Sequence, residues 1–165
     1  MWRGPMLHRA LEQFLSDVHW PRLDTLVVDM PPGTGDVSIS LAQLLPRAEV
    51  LVVTTPQPLA REVASRAATM ARKTSMRLLG VIENMAGDVF GSGGGEQLAQ
   101  DLGVPLLGSV PLDARLRDAG DRGEPLVLGD PGSDAARAIT AIAEGVAAVP
   151  REQGVGILKP LPLVS

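Results

Sequence analysis

Four short apolar runs constrain the fold of this chain more than any other feature of its sequence. Each run ends in polar, glycine or proline residues, and segments with the apolar spacing of helices separate one run from the next. Such runs are typical of strands buried on both faces, and strands that alternate with helices pair in parallel. The sequence therefore predicts an α/β fold with a mainly parallel sheet flanked by helices. The predicted strands are residues 26–28, 49–54, 78–82 and 106–110.

The predicted helices follow from apolar residues at intervals of three and four and from cap and stop residues. The first helix ends at Trp20–Pro21, because proline disfavours helical backbone in the residue before it. Asp36 or Ser38 is expected to cap the second helix, and Ser133 or Asp134 the last. The predicted helices cover residues 7–19, 36 or 38 to 45, 59–74, 96–102, 113–119 and 135–147.

Length and composition fit one domain with an aliphatic core. The chain has 165 residues, of which 45% are hydrophobic and only 2% aromatic. Its net charge of −4 gives no overall basic field for nucleic acid, and no run approaches the roughly 18 apolar residues of a membrane span. Glu12 lies where a signal peptide would be apolar. The chain contains no cysteine, which fits a cytoplasmic protein.

The segment DMPPGTGD, residues 29–36, is the strongest candidate for a functional site. Asp29 follows the first predicted strand, at the sheet edge where α/β proteins bind ligands. A carboxylate there can hold Mg²⁺ through water, and Gly33 and Gly35 allow the backbone to approach a phosphate. An apolar run that ends in aspartate is by itself more simply a buried strand with a rigid turn. The complete eight-residue string favours the metal and phosphate site.

A second glycine-rich segment, residues 91–95, allows two interpretations. Such a run could bind phosphate, but no Lys-Ser or Lys-Thr pair follows it, as a phosphate-binding loop requires. A flexible connector over residues 86–95 is therefore the favoured interpretation.

The chain resembles the Mrp/ApbC-type P-loop ATPases, which are cytosolic iron–sulfur cluster carriers related to the MinD/ParA group. The resemblance covers residues 2 to about 147, and the strings that carry it are WRGPMLHRALEQF, DTLVVDMPPGTGD, GVIENM, FGSGGGEQLAQDLGVPLLGSVPLD and GDRGEPLV. It implies a partial P-loop NTPase fold of the SIMIBI type, without the strand that carries the phosphate loop. Residues 1–147 are then the C-terminal part of an ATPase domain, and residues 148–165 form a tail with three prolines.

The resemblance also implies roles for particular residues in binding ATP and Mg²⁺. Asp29 corresponds to the Walker B acid, which supports Mg²⁺ through water and takes part in catalysis. Gly33 is likewise implied in catalysis, within a segment that senses the γ-phosphate. Asn84 corresponds to the residue that contacts adenine, although a strand-end turn is the simpler alternative for an isolated asparagine. The remaining implied nucleotide-binding residues are Pro32, Thr34, Pro111 and Asp113, the last of which could equally be a helix N-cap.

Two departures from the family pattern limit these implications. No G-x-x-x-x-G-K-[ST] segment is present, and neither lysine, Lys73 or Lys159, follows a glycine loop. The chain is therefore expected not to hydrolyse ATP alone. Only four residues separate Met85 from Phe90, where cluster carriers typically have a Cys-x-x-Cys pair, so a [4Fe–4S] cluster lacks its usual thiolate ligands.

The resemblance implies a homodimer that serves iron–sulfur apoproteins, with neither nucleic acid nor membrane as a partner. Two alternatives remain open from the sequence. One is a non-catalytic scaffold or interaction module with the same fold. The other is a MinD/ParA-like positioning ATPase, which predicts a C-terminal amphipathic helix, and the prolines of the tail argue against such a helix.

Overall fold

The computed structural model describes residues 3–31 and 36–150, which form three strands and seven helices. The side chains of residues 3–5, 7 and 36 are not among those described. The elements are α1 (Arg3–Ser16), α2 (Asp36–Leu44), β1 (Glu49–Thr54), α3 (Pro58–Lys73), β2 (Arg77–Ala86), α4 (Gly94–Leu102), β3 (Leu106–Pro111), α5 (Ala114–Arg122), α6 (Leu126–Gly129) and α7 (Asp134–Ala148).

The three strands form one parallel sheet in the order β1–β2–β3. Val81, at the centre of β2, is opposite Val52 of β1 and Leu106 of β3. Helices α3 and α4 connect successive strands, as parallel pairing requires. The α/β fold with a parallel sheet that the sequence predicts is therefore confirmed.

Two hydrophobic clusters cover the two faces of the sheet. Val81 belongs to the cluster with α3 and α4, and the next residue, Ile82, packs against the cluster formed with α5, α6 and α7. This alternation follows from the period of two in a strand. The first cluster contains Val52, Ala64, Ala68, Val81, Leu98, Ala99 and Leu102, and the second contains Val110, Ala119, Leu126, Ala135, Ala136 and Ile142.

The predicted strand at Leu26–Val28 is wrong. These residues carry no strand pairing, and Val27 is 84% exposed. A strand requires a neighbour with which its backbone can bond, and among the described residues the sheet ends at β1, which pairs only with β2. An apolar sequence alone therefore does not make this segment a strand.

The other predicted elements are found, with shifted boundaries. Helix α1 runs from Arg3 to Ser16, where residues 7–19 were predicted, and β2 continues past Ile82 to Ala86. The short helix α6 was not predicted, because its four residues are too few to show a helical period. Gly103 and Gly123 end α4 and α5 in the left-handed conformation, the usual role of glycine at this position.

Candidate functional site

The candidate site lies at the carboxyl ends of the strands, the edge where open α/β sheets bind ligands. β2 brings Glu83 and Asn84 to this edge, and β3 brings Ser109 and Pro111. Ala86 pairs with Pro111, and the N–H of Leu112 donates to the Ala86 carbonyl over 2.8 Å. The ends of β2 and β3 are therefore fixed to each other next to the N-terminus of α4.

Glu83 is the most completely enclosed charged group at this edge, with 2% of its surface exposed. Its Oε1 accepts a hydrogen bond from the N–H of Gly95 over 2.8 Å. Its Oε2 accepts one from the Ser109 hydroxyl over 2.9 Å and a longer one, 3.3 Å, from the N–H of Gly93. One carboxylate therefore joins β2, β3 and the start of α4.

These contacts keep Glu83 ionised. Burial is the largest single influence and raises the pKa of Glu83, but the hydrogen bonds from Gly95, Ser109 and the neighbouring glycine N–H groups together outweigh it. The pKa of Glu83 therefore lies below its ordinary value. The carboxylate also supplies negative charge at a helix N-terminus, where the helix dipole favours it.

The end of the glycine-rich segment is not a flexible connector. Gly94 and Gly95 are buried in the first turn of α4. A Cβ on Gly95 would lie 2.5 Å from the Cβ of Glu83, and one on Gly94 would lie 2.4 Å from the carbonyl oxygen of Pro56. The glycines allow α4 to approach β2 and the segment that follows β1 this closely. Because Glu83 already accepts hydrogen bonds from Gly93 and Gly95, this helix start is filled by the protein's own anion.

The loop before α4 is short and closed. Gly87 and Gly91 exchange two backbone hydrogen bonds of 2.9 and 2.7 Å, and both have positive φ angles, 143° and 81°. Asp88, Val89 and Phe90 lie between them, and Val89 is 71% exposed. This loop occupies the position at which the resemblance places a cysteine pair, and it offers no thiolate.

Asn84 lies beside Glu83 in β2 and is partly buried. Its Oδ1 accepts a hydrogen bond from the N–H of Met85 over 2.9 Å, and Met85 has a φ of 58°. The turn role that was the alternative for Asn84 is therefore present. The Nδ2 amide group and the second lone pair of Oδ1 can still serve a ligand with both donor and acceptor atoms, as adenine has.

Asp113 is the N-cap of α5. Its carboxylate accepts a hydrogen bond of 2.9 Å from the N–H of Arg115, and the Arg115 guanidinium bonds both Asp113 and Asp130. The side-chain hydrogen bond from Arg115, followed by the backbone one, lowers the pKa of Asp113. The helix-cap alternative for Asp113 is therefore confirmed, and nucleotide contact stays a prediction.

Asp29 lies outside the sheet, in an exposed segment without regular structure. Pro32, Gly33 and Thr34 fall outside the described residues. The structure therefore brings together Asn84, Pro111 and the cap at Asp113 at the paired ends of β2 and β3. Asp29 belongs to neither strand.

The residues fit Mg²⁺ and nucleotide in part. No group of three or more His, Cys, Asp or Glu side chains that could hold a metal occurs among residues 3–31 and 36–150. A single exposed carboxylate such as Asp29 suits an ion that keeps most of its water and takes further ligands from phosphates. Within the same residues, no helix has the length and hydrophobicity to cross a membrane.

Glu83 is a functional residue that the sequence analysis did not single out, although the sequence carries a signal for it. The string GVIENM contains a charged residue inside an otherwise apolar strand, and a buried acid needs donors. Its donors come from Gly93, Gly95 and Ser109, at least ten residues away in sequence.

The fold just described matches that of MinD-type P-loop NTPases. The structure superposes on the cell division ATPase MinD of Pyrococcus furiosus with a TM-score of 0.71 at 23% identity, covering 89% of this chain and 59% of that protein. It also matches a nucleotide-binding protein of Archaeoglobus fulgidus in complex with ADP, with a TM-score of 0.65 at 31% identity over 78% of this chain and 56% of that protein.

The chain belongs to the ParA family described as NUBPL iron-transfer P-loop NTPases, whose model matches residues 1–147. It is 54% identical over 161 residues to the iron–sulfur cluster carrier protein of Mycobacterium tuberculosis, covering 88% of this chain and 42% of that relative. It is 43% identical over 156 residues to the iron–sulfur cluster transfer protein NUBPL of Mus musculus, covering 88% and 49%. The family predicted from the sequence is confirmed, and the chain spans about half or less of these relatives' length.

Proposed function

We propose that this chain forms part of an iron–sulfur cluster carrier ATPase, in which ATP binding and hydrolysis govern the association of two copies in the cytoplasm. The observation that carries the proposal is the 54% identity to the Mycobacterium tuberculosis carrier over 88% of this chain. Iron–sulfur apoproteins are the proposed partners, and the cluster is the cargo. Neither a nucleic acid nor a membrane is a proposed partner.

In the proposed site, different segments of the chain bind different parts of the nucleotide. Asp29 supports Mg²⁺ through water, and Gly33, with Pro32 and Thr34 beside it, senses and positions the γ-phosphate. Asn84 contacts the adenine edge, and Pro111 and Asp113 lie over the base. The exposure of Asp29 and the Nδ2 amide group of Asn84, whose Oδ1 accepts a bond from Met85, support these roles. Mg²⁺ supplies charge stabilisation at the phosphates when it is bound.

The phosphate-binding lysine and the cluster ligands are outside this proposal. The chain has no G-x-x-x-x-G-K-[ST] segment and no cysteine, so its own residues provide neither. A [4Fe–4S] cluster would take its thiolates from another chain or segment.

Calorimetric titration with ATP and Mg²⁺ tests the proposal in two arms. We expect the 165-residue chain alone to bind more weakly than about 1 mM, because the phosphates lack their lysine and glycine loop. The second arm uses a joined protein, in which this chain follows the segment that precedes the matching region in the Mycobacterium tuberculosis relative. The joined protein should bind and hydrolyse ATP.

The Asp29→Asn variant of the joined protein should lose about a hundredfold or more of its hydrolysis rate, since the Mg²⁺ support is worth several kcal/mol. Asp24→Asn is the matched control, an exposed aspartate five residues earlier, and should leave the rate unchanged. Micromolar ATP binding by the 165-residue chain alone would indicate a different phosphate site and overturn the proposal.

A non-catalytic scaffold is the second candidate function. It is favoured by the filled N-terminus of α4, where Glu83 accepts the hydrogen bonds that a phosphate would otherwise accept. If the joined protein binds a partner apoprotein but never hydrolyses ATP, the scaffold replaces the ATPase as the better account.

A further inference from the structure

The carboxylate of Glu83 holds three elements together directly before the candidate base-binding residue. It bonds the start of α4 through Gly93 and Gly95 and bonds β3 through Ser109, and Asn84 is the next residue in the chain. Of these residues, only Asn84 has a side-chain amide at the ligand edge. The carboxylate bonds are therefore one peptide unit from the group that would meet a base.

The donors around Glu83 select a carboxylate of this length. Two backbone N–H groups and a hydroxyl point to its oxygens, and a carboxylate accepts at both oxygens. A glutamine would present one acceptor and one N–H₂ group, so that a donor would face another donor. An aspartate is shorter by one methylene and could not reach α4 without a shift of the backbone.

The backbone between Glu83 and Ala86 is irregular, with Glu83 fixed at one end and Ala86, which pairs with Pro111, at the other. The pairing of β2 with β3 shifts register between Glu83 and Ala86, and Met85 has a positive φ of 58°. The side chain of Asn84 is hydrogen-bonded to the N–H of Met85. This irregular turn comes directly after Glu83, which is hydrogen-bonded to both α4 and β3.

We propose that Glu83 is a positioning residue for nucleotide-base recognition, which fixes the end of β2 so that the Asn84 amide is held at the ligand edge. The proposal rests on the proposed function for the identity of the ligand. It assigns to Glu83 no contact with the nucleotide, because its carboxylate is buried and both of its oxygens accept hydrogen bonds from the protein.

The first test needs no nucleotide. In the 165-residue chain, the Glu83→Gln variant should shift or broaden the Nδ2 amide signals of Asn84 in nitrogen–proton NMR spectra, while the signals of Gln13 in α1 stay unchanged. The matched control Glu62→Gln removes an exposed acid of α3 that pairs with Arg66, and should leave Asn84 unchanged. Unchanged Asn84 signals in Glu83→Gln would overturn the proposal.

The second test is a double-mutant cycle in the joined protein, with the ratio of the dissociation constants for GTP and ATP as its readout. Asn84→Ala and Glu83→Gln should each lower this ratio, by about fivefold or more for the loss of roughly one hydrogen bond. In the Asn84→Ala background, Glu83→Gln should have no further effect on the ratio. A general loss of structure would instead weaken the binding of GTP and ATP equally. Glu83→Gln would then still weaken binding in the Asn84→Ala background.

The outcomes separate the two proposals. If Asn84→Ala lowers the ratio and Glu83→Gln does not, or if the two effects add, positioning by Glu83 is refuted while base contact by Asn84 stands. If Asn84→Ala leaves the ratio unchanged, base contact by Asn84 fails. The NMR comparison then decides whether Glu83 fixes Asn84.

Discussion

At the scale of single residues, Gly95 and Glu83 constrain each other. A Cβ at Gly95 would lie 2.5 Å from the Cβ of Glu83, a separation that real side chains do not adopt. We therefore expect Gly95→Ala to lower the free energy of unfolding by about 1–3 kcal/mol through overpacking, measured by urea titration.

The matched control for Gly95 is Gly145, which lies inside α7 with no atom within 4 Å of its missing Cβ. Gly145→Ala should raise the free energy of unfolding by about 0.5–1 kcal/mol, because alanine favours a helix interior over glycine. Equal effects of the two substitutions would show that the approach of α4 to Glu83 does not limit residue 95.

Glu83 also makes stability depend on pH. Its pKa in the folded protein lies below its ordinary value, so its stabilising contribution is complete above about pH 4.3 and is lost as the pH falls through the folded-state pKa. Asp113 contributes with the same sign. Urea titrations from pH 7 to pH 3 should therefore show a smaller loss of stability for Glu83→Gln than for the unmodified chain. A parallel loss in both would contradict this prediction.

The sequence predicted residues whose role is local and missed those whose role depends on distant partners. Ser133 was one of two candidates for the cap of the last helix, and a helix cap was one of two interpretations of Asp113; both side chains accept the backbone hydrogen bond of a cap. Glu83 and the close approach at Gly95 depend on contacts across twelve positions, which only the fold brings together. The roles of Asp29, Gly33 and Asn84 toward a ligand stay predictions.

At the scale of elements, the cap of α7 joins the start of the last helix to the turn before it. The Ser133 hydroxyl accepts a hydrogen bond from the N–H of Ala136 and donates one to the carbonyl of Asp130, and Ser133 is buried. Ser133→Ala should lower the free energy of unfolding by about 0.5–2 kcal/mol, measured by urea titration. Ser65→Ala, within α3, is the control and should change it by less than about 0.5 kcal/mol.

Most helices and strands were predicted close to their positions from local sequence patterns, but the strand predicted at residues 26–28 was not found. The strand at residues 49–54 was predicted with the boundaries of β1, and helices α3, α4 and α7 lie within a residue or two of their predicted positions. Leu26–Val28 has an equally apolar sequence but no paired strand. A strand is a property of two segments, and the sequence of one segment cannot supply the other.

At the scale of the whole molecule, the unpaired edge of β1 is the feature that we expect to govern self-association. Among the described residues β1 pairs only with β2, and Val53 on it is 56% exposed. An open apolar edge strand is a template for pairing with another chain. We expect the 165-residue chain to self-associate or to be marginally stable, as sedimentation velocity and thermal unfolding would measure.

Val53→Lys should reduce this association, because a lysine on an edge strand opposes pairing. Val89→Lys changes an exposed valine in the loop between β2 and α4, away from the edge of β1, and should leave association unchanged. A clean monomer of the unmodified chain with a sharp cooperative melt would contradict the prediction. Equal effects of the two lysines would place the contact elsewhere.

The closed loop between Gly87 and Gly91 makes this position suitable for grafting. Its ends are fixed by their own pair of backbone hydrogen bonds, and its three inner residues carry no part of either hydrophobic cluster. Lengthening a flexible loop from three to twelve residues costs only about 1.2 kcal/mol, since each doubling adds about 0.6 kcal/mol. A metal-binding insertion could therefore be gained or lost here in evolution, or added by design, with little change to the sheet beneath it.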